Sequence, residues 1–502
     1  MAKSADARDL KSLFAQAECG FKSRPGHHYA LCWKVNLLTR RRLLAELTSA
    51  TASFAQQSAP RFPNIVLILA DDLGARDLGC YGADLHETPR LDALAREGVR
   101  FTQALSSAPV CSPTRAALMT GKHPARLGIT IWHEGAVGPP PANRPLSPAP
   151  AEPNLPHAEV TIAERLKEAG YATAAVGKWH LGTAPFYPET QGFDINIGGT
   201  FWGAPATFFH PYRGKFNTEI RYIPGLAGGA AGEYLTDRLT DEAIKTIDLM
   251  SADRKPFFLY LAHHAPHTPI EAKPAMVAKY EAKRQPEMRH QNAAYAAMVE
   301  SFDESVGRVM DHLRTRGLDR DTIVIVTSDN GGYINEFRGK AVTNNAPLRS
   351  GKGSLYEGGL RVPLLIKWPG VTQPGAESAE PVVSADLFAT LCEAAGVGAK
   401  AVDGVTLKPL LTREKAQLDR EELYFHYPHY YPTTTPVSAV RTRDWKLLEY
   451  YEDGRLELYH LREDPGEQRN AAAAEPERTR AMKARLDAWK RDVGARLPTR
   501  RQ

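Results

Sequence analysis

Four short stretches of this chain are predominantly apolar, free of charged residues, and stop at a polar cluster. "NIVLILA" from Asn64 runs into Asp71 and Asp72, and "YATAAVG" from Tyr171 runs into Lys178 and His180. "PFFLYLA" from Pro256 runs into His263, His264 and His267, and "TIVIVTS" from Thr322 runs into Asp329 and Asn330. Short, continuous, β-branched-rich runs predict strands buried on both faces of a parallel sheet. Helical stretches lie between them, such as "TIAERLKEAG" before the second run and "MVESFDESVGRVMDHLRTRG" before the fourth. Strands alternating with helices predict an α/β domain, a mostly parallel sheet flanked by helices. Ligands of such sheets bind beyond the carboxyl ends of the strands.

Those ends are where the polar residues fall. One Asp-Asp after a strand is ordinary turn or cap chemistry. Four strand ends carrying Asp, Asn, Lys or His do not reduce to that. Asp71, Asp72, Asp329 and Asn330 all offer oxygen, and carboxylates brought together repel unless a cation neutralises them. Hard oxygen donors suit Ca²⁺ or Mg²⁺. His180 and His267 could serve zinc by residue type. No HExxH or closely spaced Cys/His pairing accompanies them, so acid–base roles are preferred. A fifth stretch, "LRSGKGSLYEGGLRVPLLIKWPG", sets Lys352 in a glycine-rich loop before another apolar run. Taken alone, that lysine reads as a solvated surface charge.

"CSPTRAALMTGKHP" begins at Cys111. Pro113 fits the first turn of a helix, and Ala116 to Met119 are good helix formers. Cys111 then lies at a helix N-terminus, where the dipole favours negative charge, with Arg115 one turn on. Read in isolation, Cys111 is a buried cysteine ahead of an ordinary helix.

The length, 502 residues, allows one large core and a second, smaller one. A net charge of +5 without a dense Lys/Arg stripe gives no sign of a nucleic-acid partner. No apolar run approaches the ~20 residues of a membrane span. Cysteines at 19, 32, 80, 111 and 392 do not resemble a disulfide framework. Residues 1–60 read as a leader. Thr39-Arg40-Arg41-Arg42-Leu43-Leu44 resembles a twin-arginine export signal, and Ser53 and Ala55 mark a cleavage site before Gln56. Met1 to Lys34 is unusual ahead of such a signal, and Val35 is a candidate natural start. The expected location is periplasmic or extracellular.

As a set, these residues resemble the type I sulfatases of the alkaline phosphatase superfamily. Cys111-Ser112-Pro113-Thr114-Arg115 matches the Cys-x-Pro-x-Arg signature, and "GKWHLG" at 177–182 matches the second signature. "ADDLG", "APHTP", "TSDNGG" and "GKGSLYEGGLRVP" follow in family order. The resemblance implies that a maturation enzyme oxidises Cys111 to formylglycine, whose hydrate is the nucleophile. It implies a divalent cation, Ca²⁺ or else Mg²⁺, on Asp71, Asp72, Asp329, Asn330 and residue 111. Arg115 and Lys178 would steady the hydrate, Lys352 and His267 the sulfate. His267 would protonate the leaving alcohol. His180 would take the proton of the second hydroxyl as sulfate departs. The implied partner is a sulfated ester, a saccharide or an aryl sulfate.

The catalytic domain is expected over residues 61–410 and a smaller C-terminal subdomain over 411–502. In the latter, "VSAVRTRDWKLLEYYEDGRLELYHL" predicts antiparallel strands with an Asp-Gly hairpin at 453–454, and the final Ala/Arg-rich segment predicts a helix. "YFHYPHYYPTTTP" and the stretch "FWGAPATFFHPYRGKFNTEIRY" are candidates for the substrate mouth, with Arg213 and Lys215 available to anionic sugars. Two other readings compete. A phosphatase or phosphodiesterase of the same superfamily would place Ser or Thr at the nucleophile position. A silent sulfated-glycan-binding protein would lack some of the catalytic positions.

Overall fold

The computed structural model describes residues 62–216, 219–226 and 228–501, so the leader and its cleavage site lie outside the described residues. Eight strands build the main sheet: β1 (Asn64–Ala70), β2 (Val99–Phe101), β3 (Ala172–Gly177), β4 (Ile195–Ile197), β5 (Phe257–Ala262), β6 (Thr322–Ser328), β7 (Leu364–Lys367) and β8 (Ala376–Ser378). Their spatial order is β8-β2-β7-β6-β1-β5-β3-β4. Every adjacent pair is parallel except the two that β7 makes, so β7 alone runs against the rest. The four polar-ended runs are the central strands β6, β1, β5 and β3, side by side.

The continuous apolar character of β1 has a direct cause. Ile65, Leu67 and Leu69 face one core, and Val66, Ile68 and Ala70 face the other. Helices α2 (Cys111–Thr120), α3 (Ile162–Glu168) and α6 (Asp386–Ala394) supply Leu118, Leu166 and Leu391 to the first core. Helices α1 (Pro89–Glu97), α4 (Leu235–Ser251) and α5 (Ala293–Thr315) supply Leu91, Leu239 and Phe302 to the second. A strand covered on both faces has no solvent side to alternate toward.

After the main sheet come β9 (Leu423–Tyr427), β10 (Val437–Arg441), β11 (Trp445–Tyr450) and β12 (Leu456–His460), an antiparallel sheet in sequential order. Gly454, between β11 and β12, has φ +71°, which the expected Asp-Gly turn requires. Helix α7 (Pro476–Asp492) buries Met482 and Leu486 against one face of this sheet. The other face packs Phe425, Tyr427 and Leu448 on Val110 and Leu355. Those two positions flank Cys111 in one segment and follow Lys352 in the other, so the small sheet supports both site loops from beneath. Buried ion pairs reinforce the contact: Glu357 meets Arg441 and Lys446 at 3.1 Å each, and Lys446 also meets Glu467 at 3.0 Å.

Candidate active site

Parallel neighbours end at one edge. Ala70 of β1 is in register with Ser328 of β6, and Leu69 of β1 with Ala262 of β5, which also pairs with Gly177 of β3. The next residues on each strand therefore converge. Lys178 Nζ meets Asp71 Oδ2 at 2.5 Å, and the backbone N–H of Asp72 donates to Asp329 Oδ1 at 3.2 Å. Asn330 donates through Nδ2 to Asp72 Oδ1 at 2.8 Å.

Helix α2 begins at this edge with Cys111. Its Sγ lies 3.5 Å from Asp71 Oδ1 and 3.5 Å from Lys352 Nζ. Arg115, one turn along, reaches back beneath it to Asp329 Oδ2 and donates to the Lys178 carbonyl at 3.0 Å. Lys352 Nζ also lies 2.7 Å from Asp72 Oδ1. The glycine-loop lysine is thus buried at the site rather than solvated. His267 Nε2 stands 3.5 Å from Asp72 Oδ2.

Ligand atoms of Asp71, Asp72, Cys111 and His267 all lie within 4.8 Å of one another, a cluster able to hold a metal ion. Asp329 stands just outside that convergence, since Arg115 engages Oδ2 and the Asp72 N–H engages Oδ1. Asn330 offers a further donor. Its Oδ1 is buried with no hydrogen-bond partner, while its Nδ2 is fully used. A buried carbonyl oxygen left free beside carboxylates fits a hard cation.

Electrostatics set the protonation states. Burial, with Asp329 nearby, raises Asp71 to about 7. Burial also acts to raise Asp329, but Arg115, Lys178 and Lys352 outweigh it and hold that carboxyl below its usual range. Burial pushes the Cys111 thiol up, away from thiolate character. Burial lowers His180 to about 4 and His267 to about 3, so both imidazoles are neutral at pH 7.

A cavity of about 270 Å³ opens onto Cys111, His180, His267 and Lys352. Its outer walls are Trp132, Glu134, Phe216, Arg221 and Tyr431. Tyr431 comes from the aromatic loop picked out in the sequence. Arg213 and Lys215 do not line the cavity, and Arg221 from the same stretch does. His263 is buried away from it, with Nε2 on Ser305 Oγ at 2.8 Å, and His264 is buried with both ring nitrogens unpartnered. No motif marks Glu134, Arg221 or Trp132. A short apolar-flanked "IWHEG" before a proline-rich stretch is the only local trace of two of them.

A helix-led cysteine faces buried lysines, an arginine and clustered carboxylates on the carboxyl edge of this sheet, equipment for hydrolysing an anionic ester. Residues 63–397 match the sulfatase family, and residues 351–492 match the C-terminal region described as N-sulphoglucosamine sulphohydrolase, C-terminal. The steryl-sulfatase of Mus musculus is 34% identical over 491 residues, covering 81% of this chain and 74% of its own. The N-acetylgalactosamine-6-sulfatase of Rattus norvegicus is 34% identical over 401 residues, covering 76% and 72%. The crystal structure of Ps i-CgsB in complex with k-i-k-neocarrahexaose superposes with a TM-score of 0.71 at 30% identity, covering 86% of this chain and 93% of that one. The chain belongs to the sulfatase family. It is a sulfuric ester hydrolase. No helix of the described residues is long and apolar enough to cross a membrane.

Proposed function

We propose that the enzyme removes sulfate from a sulfated saccharide, using formylglycine made from Cys111 and a Ca²⁺ ion. The observation that carries this reading is the placement of Cys111 Sγ, 3.5 Å from both Asp71 Oδ1 and Lys352 Nζ, with a thiol that burial keeps protonated. A neutral buried thiol is a poor nucleophile. Conversion to an aldehyde gives the position its purpose. The hydrated aldehyde supplies two hydroxyls on one carbon, one to attack sulfur and one whose proton can be removed to expel sulfate.

Asp71, Asp72, Asp329 and Asn330, together with residue 111, would hold the cation. Counting full charges, Asp71, Asp72 and Asp329 balance Arg115, Lys178 and Lys352, so these side chains alone offer an anion no net attraction. A divalent cation held there would supply that attraction, polarise the sulfate and favour deprotonation of the hydrate. Arg115 and Lys178 steady the oxygen on residue 111, while Lys352 and His267 hold sulfate oxygens. Asp329 assists removal of the attacking hydroxyl's proton. His267 gives a proton to the departing alcohol, and His180 takes one in the release step. A neutral His267 must first gain its proton with the substrate bound.

The saccharide assignment draws on the relatives: one is named N-acetylgalactosamine-6-sulfatase, and the solved structure at 30% identity holds k-i-k-neocarrahexaose. The cavity's aromatic walls, Trp132, Phe216 and Tyr431, suit a sugar ring. The reading includes an exported protein matured near Gln56, a catalytic domain over 61–410, a C-terminal subdomain over 411–502, and a formylglycine-generating enzyme as partner. Peptide mass spectrometry of residue 111, paired with sulfate release from defined sulfated saccharides, tests it. The expected result is aldehyde at 111 in proportion to activity. Full activity with unmodified Cys111 overturns the mechanism, and release from aryl sulfate alone overturns the substrate class.

A further inference from the structure

His180 is fixed on every side. Its backbone is left-handed at φ +61°, its N–H donates to the Thr200 carbonyl at 2.8 Å, and its carbonyl accepts from Ser112 Oγ at 2.6 Å. The ring lies so close to Gly203 that a Cβ there would stand 2.4 Å from Cε1, so only glycine admits the ring in this plane. Of the two ring nitrogens, Nε2 lies 3.4 Å from Glu134 Oε2, and Nδ1 is buried with no hydrogen-bond partner. Glu134 is fixed in turn. Its Oε1 meets Arg221 Nη2 at 3.2 Å, and the Arg221 guanidinium lies over the Phe216 ring at 4.0 Å.

A carboxylate can only accept a hydrogen bond, so the ring nitrogen facing it carries the proton. The lone pair of the neutral imidazole is then on Nδ1. We propose that Glu134 is a positioning residue: it holds His180 as the Nε2–H tautomer, leaving Nδ1 to accept the proton in the step that releases sulfate, and Arg221 keeps Glu134 in place. The proposal rests on the roles given to residue 111 and His180 above. In that step Nδ1 takes the proton of the free hydroxyl on residue 111. The O–H electron pair becomes the second C=O bond, the carbon–oxygen bond to sulfate breaks with its pair on oxygen, and sulfate leaves. His180 returns its proton to solvent, so the balance needs no further reactant. Glu134 also stabilises the positive ring formed on the way, as a buried carboxylate does behind the histidine of a hydrolytic triad. The 3.4 Å separation is long for the free enzyme, and such bonds commonly shorten when substrate binds.

Two measurements test the assignment. Nitrogen-detected NMR of histidine-labelled, unmodified Cys111 protein reads the tautomer directly, with the His180 signal identified by its loss in His180→Ala. The wild type is expected to show Nε2–H, and Glu134→Ala to lose that preference. In the matured enzyme, Glu134→Ala is expected to lose about tenfold to a hundredfold of the general-base contribution. Its burst rate on an activated sulfate should stay near wild type, and sulfated residue 111 should accumulate by intact mass. The double variant Glu134→Ala/His180→Ala should be no slower than His180→Ala alone, since Glu134 acts only through His180. Glu134→Gln keeps the side-chain shape and an acceptor oxygen, and should keep the tautomer with a smaller loss; it carries the test should the alanine variant fold poorly. A raised KM at unchanged kcat, an unaltered tautomer in Glu134→Ala, or additive losses in the double variant overturn the proposal. If His180→Ala accumulates sulfated enzyme and neither Glu134 variant does, only the Glu134 role falls. If His180→Ala itself accumulates none while turnover collapses, the role of His180 falls, and that of Glu134 with it.

Discussion

Arg115 Nε donates to Asp329 Oδ2 at 2.9 Å, and Nη2 lies 2.8 Å from the same oxygen, with both side chains sealed from solvent. Arg115 also binds the Lys178 carbonyl, so one guanidinium ties α2 to the ends of β6 and β3. Removing one partner of a buried pair leaves the other charged and unpaired, at a cost of about 3–5 kcal/mol. Arg115→Ala should lose stability on that scale in urea unfolding and lose activity as well. Arg115→Lys should recover part of the stability and little of the activity, because an ammonium cannot span both partners. A variant that loses activity at wild-type stability would show that the pair does not brace the site.

The metal is expected to be Ca²⁺, or else Mg²⁺, at about one per chain in elemental analysis. The proposed donors are all oxygens once residue 111 is formylglycine, and the unpartnered Asn330 Oδ1 is one of them. Asp72→Ala and Asp329→Ala should each abolish metal retention and turnover. Chelation followed by Ca²⁺ should restore activity, whereas zinc should not. Stoichiometric zinc, with activity restored by zinc alone, would return the phosphatase reading to the front.

The strand-end residues were legible because a strand with both faces buried must change character abruptly where it leaves the sheet. β1 and β6 do so at Asp71 and Asp329. The reversed direction of β7 was not, since the apolar run "PLLIKW" carries no sign of its polarity. The cavity's outer wall was legible only in part. Gly214–Phe216 pairs antiparallel with Glu219–Arg221, with Gly214 opposite Arg221 and Lys215 opposite Ile220. Alternation then puts Phe216 and Arg221 on the inner face and Lys215 and Ile220 on the outer, so the expected Lys215 is replaced at the cavity by Arg221. Glu134 sits on the short helix His133–Val137, whose approach to His180 is set by packing across the molecule rather than by any local period.

Stability should fall on mild acidification. Burial lowers His86, His123 and His426 to about 4, and His263 and His429 to about 3. Their folded values lie below the unfolded value, so the unfolded chain binds more protons between about 6.5 and 4. Stability therefore rises with pH through that window and is lost as pH falls. Asp71, Asp303 and Glu467, raised to about 7 by burial, oppose this, because the fold takes up their protons first. The five histidines outnumber them. Urea midpoints should drop between pH 7 and pH 5, and His429→Gln should flatten the slope by up to about 1.4 kcal/mol per pH unit. A midpoint that rises over this range would contradict the histidine account.

Sulfatase and phosphatase chemistry differ in the step each residue serves. A sulfate monoester carries one negative charge and a phosphate monoester about two at neutral pH. Lys352 in the cavity wall, with a divalent cation and the buried Arg115 and Lys178 behind it, does not exclude the second charge. Phosphate esters are therefore expected to bind and inhibit, while sulfate esters turn over much faster, because selection falls on the transition state and on release. His267→Ala should slow formation of the sulfated enzyme by removing the leaving group's proton donor, and a substrate with a better leaving group should recover most of the loss. His180→Ala should leave formation near wild type and slow release, so a burst of alcohol is followed by little turnover. Cys111→Ser should behave in the same way, accepting sulfate but lacking the second hydroxyl. Rapid-quench kinetics on a poorly activated aryl sulfate for formation and on an activated one for release, with intact mass to count sulfated chains, reads both steps. Equal slowing of formation and release in both histidine variants would show that the two imidazoles do not divide the reaction as assigned.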